Sequence, residues 1–194
     1  MTGATQESTV RPIRSVAVLG AGTMGAQIAA HVANAGLPVL LLDLDVNTAA
    51  SGLKCATALK PDPFFTNGTR AQIRLGGFES HLSEIADCDW IVEAIVERLD
   101  AKQALLAKVE VHRNTGTIVS SNTSSLSIGS LADDLTAEFR RHWLGSHFFN
   151  PPRYLRLVEI TPTSETDPGV VTALSSFVDK RLGKGDVVTR DTPS

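Results

Sequence analysis

Residues 16–36 read VAVLGAGTMGAQIAAHVANAG. A short apolar run enters Gly20-x-Gly22-x-x-Gly25, and an Ala-rich stretch of helical period then ends at Gly36. The spacing predicts a strand, a tight turn and a helix, the unit that opens a doubly wound α/β sheet. Alone, three spaced glycines are weak, because an ordinary turn uses them too. The next apolar run, Val39–Leu42, closes on Asp43, eighteen residues past Gly25. An acidic residue at that place meets a ribose. Gly20 then makes the turn, Gly22 lets a pyrophosphate approach the backbone, and Gly25 lets helix and sheet pack closely. Thr23 and Met24 belong to the first helical turn, whose free N–H groups and positive end favour an anion. Asp43 would accept from ribose hydroxyls and repel a 2′-phosphate. NAD, rather than NADP, is the expected cofactor.

The same pattern continues outward. Apolar runs at Trp90–Ala94, Thr117–Ser120, Leu144–Phe148, Arg156–Thr161 and Asp186–Thr189 alternate with helical stretches at Val46–Leu59, Lys102–Val111, Ile128–Ala132 and Pro168–Leu182. The fold class is therefore α/β: a Rossmann-like doubly wound, mostly parallel sheet, with antiparallel strands near the C-terminus. Pro61 and Pro63 make LKPDPFFTNGTR a loop. Residues 45–75 are expected to form a helical excursion after the second strand. Residues 1–12 read as a disordered polar leader, and residues 13–194 as the dinucleotide-binding domain.

The bulk numbers narrow the partners. A net charge of −3 over 194 residues argues against nucleic acid or an anionic membrane surface. Residues 15–42 lack any charge, yet four glycines, Pro38 and His31 interrupt them, so no membrane span is expected. Cys55 and Cys88 make neither a metal nor a disulfide spacing. With no secretory signal, a cytoplasmic protein without a metal site is expected.

In a doubly wound sheet, ligands lie beyond the carboxyl ends of the strands. Three segments leave strands there: AIVERLDAK (94–102), SSNTSSLSI (120–128) and HFFNPPRY (147–154). Side-chain alternation along the run that follows puts Leu155, Leu157 and Glu159 on one face, so the carboxylate needs a partner there. His147 is the candidate. A carboxylate beside an imidazole fixes its tautomer and stabilises its protonated form, which suits a base taking an alcohol proton. Ser124 is one serine among six and has two readings, a cap of the next helix or a ligand to substrate. His31, His81, His112 and His142 read as packing or surface residues. Lys54, Lys60, Arg70 and Arg74 read as a solvated face, with coenzyme A phosphates as the rival reading.

Taken in order, GAGTMG, IVEAIVE, SNTSSLSI, HFFNPP and LVEI resemble the NAD-binding domain of 3-hydroxyacyl-CoA dehydrogenases of fatty-acid β-oxidation, over residues 14–193. LKPDPFF and LGSHFFNPPRYLRLVEI are most similar to the long bacterial members. The resemblance implies oxidation of an L-3-hydroxyacyl-CoA to the 3-ketoacyl-CoA. It makes His147 the general base and Glu159 its orienting carboxylate. Ser124 would bond the substrate hydroxyl, and Asn150 the substrate or nicotinamide. Glu97 and Lys102 would hold the nicotinamide half of the cofactor, although this chain has ERLD where the family more often has Asn after the Glu. It also implies an acyl-CoA substrate, a further C-terminal helical domain of the same polypeptide, a homo-oligomer, and little turnover by residues 1–194 without that domain. The rival readings are another β-hydroxyacid dehydrogenase, for which no catalytic-lysine motif is found, and a dehydrogenase fold that binds NAD without turnover.

Overall fold

The structure is a computed structural model and describes residues 10–191. Most of the expected leader therefore lies outside the described residues; residues 10–15 are irregular, with Ile13 buried. The chain then runs β1 (Val16–Leu19), α1 (Thr23–Asn34), β2 (Val39–Asp43), α2 (Val46–Thr57), β3 (Ile73–Gly77), α3 (Phe78–His81) and β4 (Trp90–Glu93). It continues through α4 (Leu99–His112), β5 (Ile118–Ser121), α5 (Ile128–Leu131), α6 (Ala137–Arg141), β6 (Trp143–Phe148), β7 (Leu157–Pro162), α7 (Pro168–Leu182) and β8 (Gly185–Val188). One sheet holds all eight strands in the order β3-β2-β1-β4-β5-β6-β7-β8. Every neighbouring pair is parallel except β6 and β7, which are antiparallel.

Period-two alternation divides the core between the two faces. Val16, Val18, Leu41 and Val92 pack on one side with α1 and α7 residues such as Ile28, Leu174 and Phe177. Ala17, Leu19, Leu40 and Ile91 pack on the other with Leu106 and Val109 of α4 and Phe139 of α6. Burial on both faces explains why these strands read as unbroken apolar runs. Helix ends follow ordinary rules. Pro168 opens α7 behind Asp167, whose carboxylate accepts from Gly169 N–H, and Gly183 at φ 64° closes it.

The excursion expected at 45–75 needs one correction. Its first part is α2, its proline stretch is irregular and leads into a short 3-10 helix over Asn67–Gln72, but Ile73–Gly77 is a parallel edge strand on β2, not helix. IRLGG looks like loop because of its two glycines. They are there for close approach: a Cβ on Gly76 would lie 2.5 Å from Leu42 Cδ2, and one on Gly77 2.9 Å from Asp45 Cα. The proline loop is mostly exposed but is anchored at several points. Phe64 is buried, Asn34 Nδ2 donates to Pro63 O at 2.8 Å, and the Arg153 guanidinium lies 4.5 Å from the Phe65 ring centre while donating to the carbonyls of Asp62 and Phe64. Arg153 belongs to the turn after β6, so this loop braces the corner that follows His147.

His31 on α1 bridges to α7, its Nε2 lying 3.1 Å from Leu182 O. Burial, then the nearby Lys184 charge, lowers its pKa from 6.5 to about 4. In the unfolded chain the ring regains its ordinary affinity for a proton, so between those values the unfolded state binds more protons. Stability is therefore full above about 6.5 and falls as pH drops toward about 4, by roughly 3 kcal/mol from this residue. Urea midpoints across that range should fall less steeply for His31→Gln than for the wild type. Parallel pH profiles would rule His31 out as the source.

Candidate functional site

β1 has β2 on one side and β4 on the other, and the chain winds away from β1 in both directions. The turns after β1 and β4 consequently diverge and open a crevice at the carboxyl edge of the sheet. A cavity of about 800 Å³ fills it, reaching from Gly20, Gly22 and Asp43 to His147 and Asn150.

At the first end, the three glycines divide their labour. Gly20 has φ +104°, and a Cβ there would lie 2.6 Å from Ala94 O. A Cβ on Gly25 would lie 1.8 Å from Gly20 O, so helix and turn touch directly. At Gly22 a Cβ would meet nothing within 4 Å. Among the described residues nothing fills that space beside the first turn of α1. Gly22 is also the N-cap of α1, no side chain caps it, and the first turn holds no acidic residue. Thr23 and Met24 line the cavity beside it. This is a cradle for a phosphate-bearing group, on the positive end of the helix. Asp43 stands at the end of β2, its Oδ2 accepting from Ala21 N–H at 2.6 Å and its Oδ1 from Leu44 N–H at 2.7 Å. Each carboxylate oxygen keeps a second lone pair for a ribose hydroxyl. The residues present fit an NAD molecule.

The middle of the cavity rests on charges that sequence reasoning only half found. Glu93 closes β4 and is fully buried. Its Oε1 accepts from Lys102 Nζ and from Ile95 N–H, both at 2.7 Å, and its Oε2 accepts from the Ser121 hydroxyl. Lys102 is itself only 1 % exposed and lies 3.3 Å from Glu97 Oε2. Glu97 in turn accepts through Oε1 from the hydroxyls of Thr123 and Ser125 and from the N–H groups of Ser124 and Ser125. Partial burial works to raise the Glu97 pKa. The hydrogen bonds and the Lys102 charge outweigh it, and the carboxyl sits below its ordinary value. Glu93, Ser121 and Thr123 were missed. A carboxylate ending an apolar strand, with a lysine nine residues on, was the available signal.

At the far end, β6 outruns β5 in the register. Asn122 Oδ1 takes over as partner, accepting from Phe148 N–H at 2.8 Å. This holds the strand end that carries His147. His147 and Glu159 are direct cross-strand partners in the antiparallel pair, with Nδ1 to Oε2 2.9 Å. The leucine face is not core: Leu157 is 40 % exposed, and Val158 and Ile160 turn inward instead. Glu159 is thus half-buried on an open face, beside a recess of about 260 Å³ that it shares with His147 and Ser124. Ser124 does not cap α5, since Ser127 does, accepting from Ser130 N–H. Asn150 lies across from α1, its Oδ1 accepting from Gln27 Nε2 at 3.1 Å. Lys184, buried and with its pKa lowered to about 8 by that burial, donates to Leu155 O at 2.6 Å and to Pro152 O and so fastens the corner.

Gly20, Gly22, Thr23, Met24 and Asp43 therefore share one cavity with Glu97, Lys102, Ser124, His147 and Asn150; Gly25 sits behind the turn, and Glu159 behind His147. The family model for the 3-hydroxyacyl-CoA dehydrogenase NAD-binding domain matches residues 15–192. The chain belongs to that family. This NAD-binding domain is 45 % identical over 188 residues to a probable 3-hydroxyacyl-CoA dehydrogenase of Deinococcus radiodurans, covering 93 % of this chain and 54 % of the relative. A protein of the same description from Bacillus subtilis is 40 % identical over 203 residues, covering 94 % of this chain and 26 % of the relative. Among solved structures, the 3-hydroxybutyryl-CoA dehydrogenase of Escherichia coli aligns with a TM-score of 0.82 at 30 % identity, over 93 % of this chain and 39 % of that one. The chain thus spans between about a quarter and just over half of the length of these relatives. Among the described residues no helix is long and apolar enough to cross a membrane.

The position of Asp43 predicts the cofactor choice. A 2′-phosphate would meet its carboxylate and forfeit the ribose hydrogen bond, so NAD should bind roughly 10²-fold more tightly than NADP. Calorimetric titration with both decides it; equal affinities would remove Asp43 from the ribose site.

Proposed function

We propose that the protein containing this domain oxidises L-3-hydroxyacyl-CoA to 3-ketoacyl-CoA, reversibly, as part of fatty-acid β-oxidation. The observation that carries the reading is the His147–Glu159 pair at the mouth of the NAD cavity. Glu159 accepts from Nδ1–H, which leaves the Nε2 lone pair free to take the hydroxyl proton. As the imidazolium forms, the carboxylate 2.9 Å away stabilises it. Bound NAD would supply the hydride acceptor. Ser124, exposed beside His147, bonds the substrate hydroxyl, and Asn150 contacts substrate or the nicotinamide end. Glu97 and Lys102 floor the nicotinamide half. They hold it by shape and hydrogen bonding, because the Lys102 charge is already met.

The lengths of the relatives favour a protein in which this domain works with further parts, and the reading adds a C-terminal helical domain to them. A homo-oligomer and a cytoplasmic setting complete the reading. The test is reduction of acetoacetyl-CoA by NADH, set beside reduction of free acetoacetate. Turnover of the free acid with none of the thioester would transfer the protein to the small-acid dehydrogenases.

A further inference from the structure

Gln27 lies on α1 one turn past the phosphate cradle and is 4 % exposed. Its Nε2 makes two contacts, to Thr23 O at 2.8 Å and to Asn150 Oδ1 at 3.1 Å. The orientation of both amides follows from donor logic. Thr23 O is a carbonyl and can only accept, so the group facing it must be the NH2 of Gln27. That same NH2 faces Asn150, so the Asn150 atom in contact must be its oxygen. Both hydrogens of the Gln27 amide are then used, and the Asn150 carbonyl is engaged. The Asn150 oxygen keeps one lone pair but is held at α1, and both hydrogens of its NH2 remain to be placed, on a side chain that lines the cavity together with His147 and Ser124.

We infer that Gln27 is a positioning residue that locks Asn150 as a hydrogen-bond donor toward the reacting centre, so that the group served by Asn150 is an acceptor oxygen. This rests on the function proposed above. Two oxygens of that chemistry qualify: the C3 oxygen of the substrate and the carboxamide oxygen of the nicotinamide. The link also couples the two ends of the site, since Thr23 belongs to the phosphate cradle and Asn150 to the corner after His147.

Side-chain amide NMR on the chain labelled with 15N at Asn and Gln tests this, with Asn150→Ala and Gln27→Met assigning the signals. In the ligand-free wild type, the Gln27 hydrogens should exchange slowly with solvent and the Asn150 pair should be single and sharp. Gln27→Met keeps side-chain length but has no donor, so the Asn150 pair should broaden or double. An unchanged Asn150 pair in that variant, or fast exchange at Gln27 in the wild type, would overturn the inference without touching the proposed function. A shift of the Asn150 signals with NADH alone assigns the acceptor to the cofactor; a shift that needs acetoacetyl-CoA as well assigns it to the substrate. Silence at Asn150 while the His147 ring responds to acetoacetyl-CoA would also overturn the inference. Silence at both would count against the proposed function, and the ligand-free comparison would still decide the role of Gln27.

Discussion

Changing His147 to glutamine lowers turnover of a 3-hydroxyacyl-CoA by about 10³-fold and leaves NAD affinity within about twofold. Glutamine fills a similar space but has no site that takes up a proton at neutral pH, so the hydroxyl must lose its proton to water. NAD affinity is spared because the phosphate cradle and Asp43 lie at the other end of the cavity. Glu159→Gln should be nearly as damaging. A neutral amide at the 2.9 Å position does not stabilise an imidazolium, and turned the other way it donates to Nδ1 and fixes the wrong tautomer. The two losses should not multiply. Either change disables the same proton transfer, so the double variant should sit close to the worse single one. Steady-state kinetics of the three variants measures this. A double variant that lost the product of both effects would show two independent residues, not a pair.

The second large effect is on stability. Lys102→Met should destabilise the domain by about 3–5 kcal/mol, because it leaves Glu93 buried with its charge unmatched. Ile95 N–H and the Ser121 hydroxyl would remain as its partners, and neither supplies a countercharge. Adding Glu93→Gln to the same chain removes that charge, so the double variant should recover much of the loss. Urea unfolding of the single and double variants measures both steps. A single variant within about 1 kcal/mol of wild type would mean that the pair contributes no more than a surface contact.

The two ends of the site were legible for different reasons. The glycine turn and Asp43 are local, since chain geometry places them together within a single strand-helix-strand unit. The His147–Glu159 pair spans one antiparallel reversal, and a tight corner brings such residues into register. The middle was hidden because its partners come from different strands. The nine-residue step from Glu93 to Lys102 hints at one contact, but nothing along the chain says that Ser121 on β5 turns to Glu93 on β4 as well. β3 escaped for a related reason. Its glycines answer to Leu42 and Asp45, neighbours that appear only once the sheet is assembled. The leucines misled in the opposite sense: Leu157 shares the face of Glu159 as alternation requires, yet that face is open, and Leu155 precedes the strand.

Glu97 gathers Thr123, Ser124 and Ser125 from the loop after β5 while itself standing in the loop after β4. The two loops are consequently one interchangeable part, not two. A chimera that imports residues 122–127 from a homologue to change selectivity should fail unless residues 95–98 travel with them, since the incoming serines would close around a foreign side chain. Directed libraries that randomise either loop alone would sample mostly broken joints, and useful variants should come from diversifying both in concert.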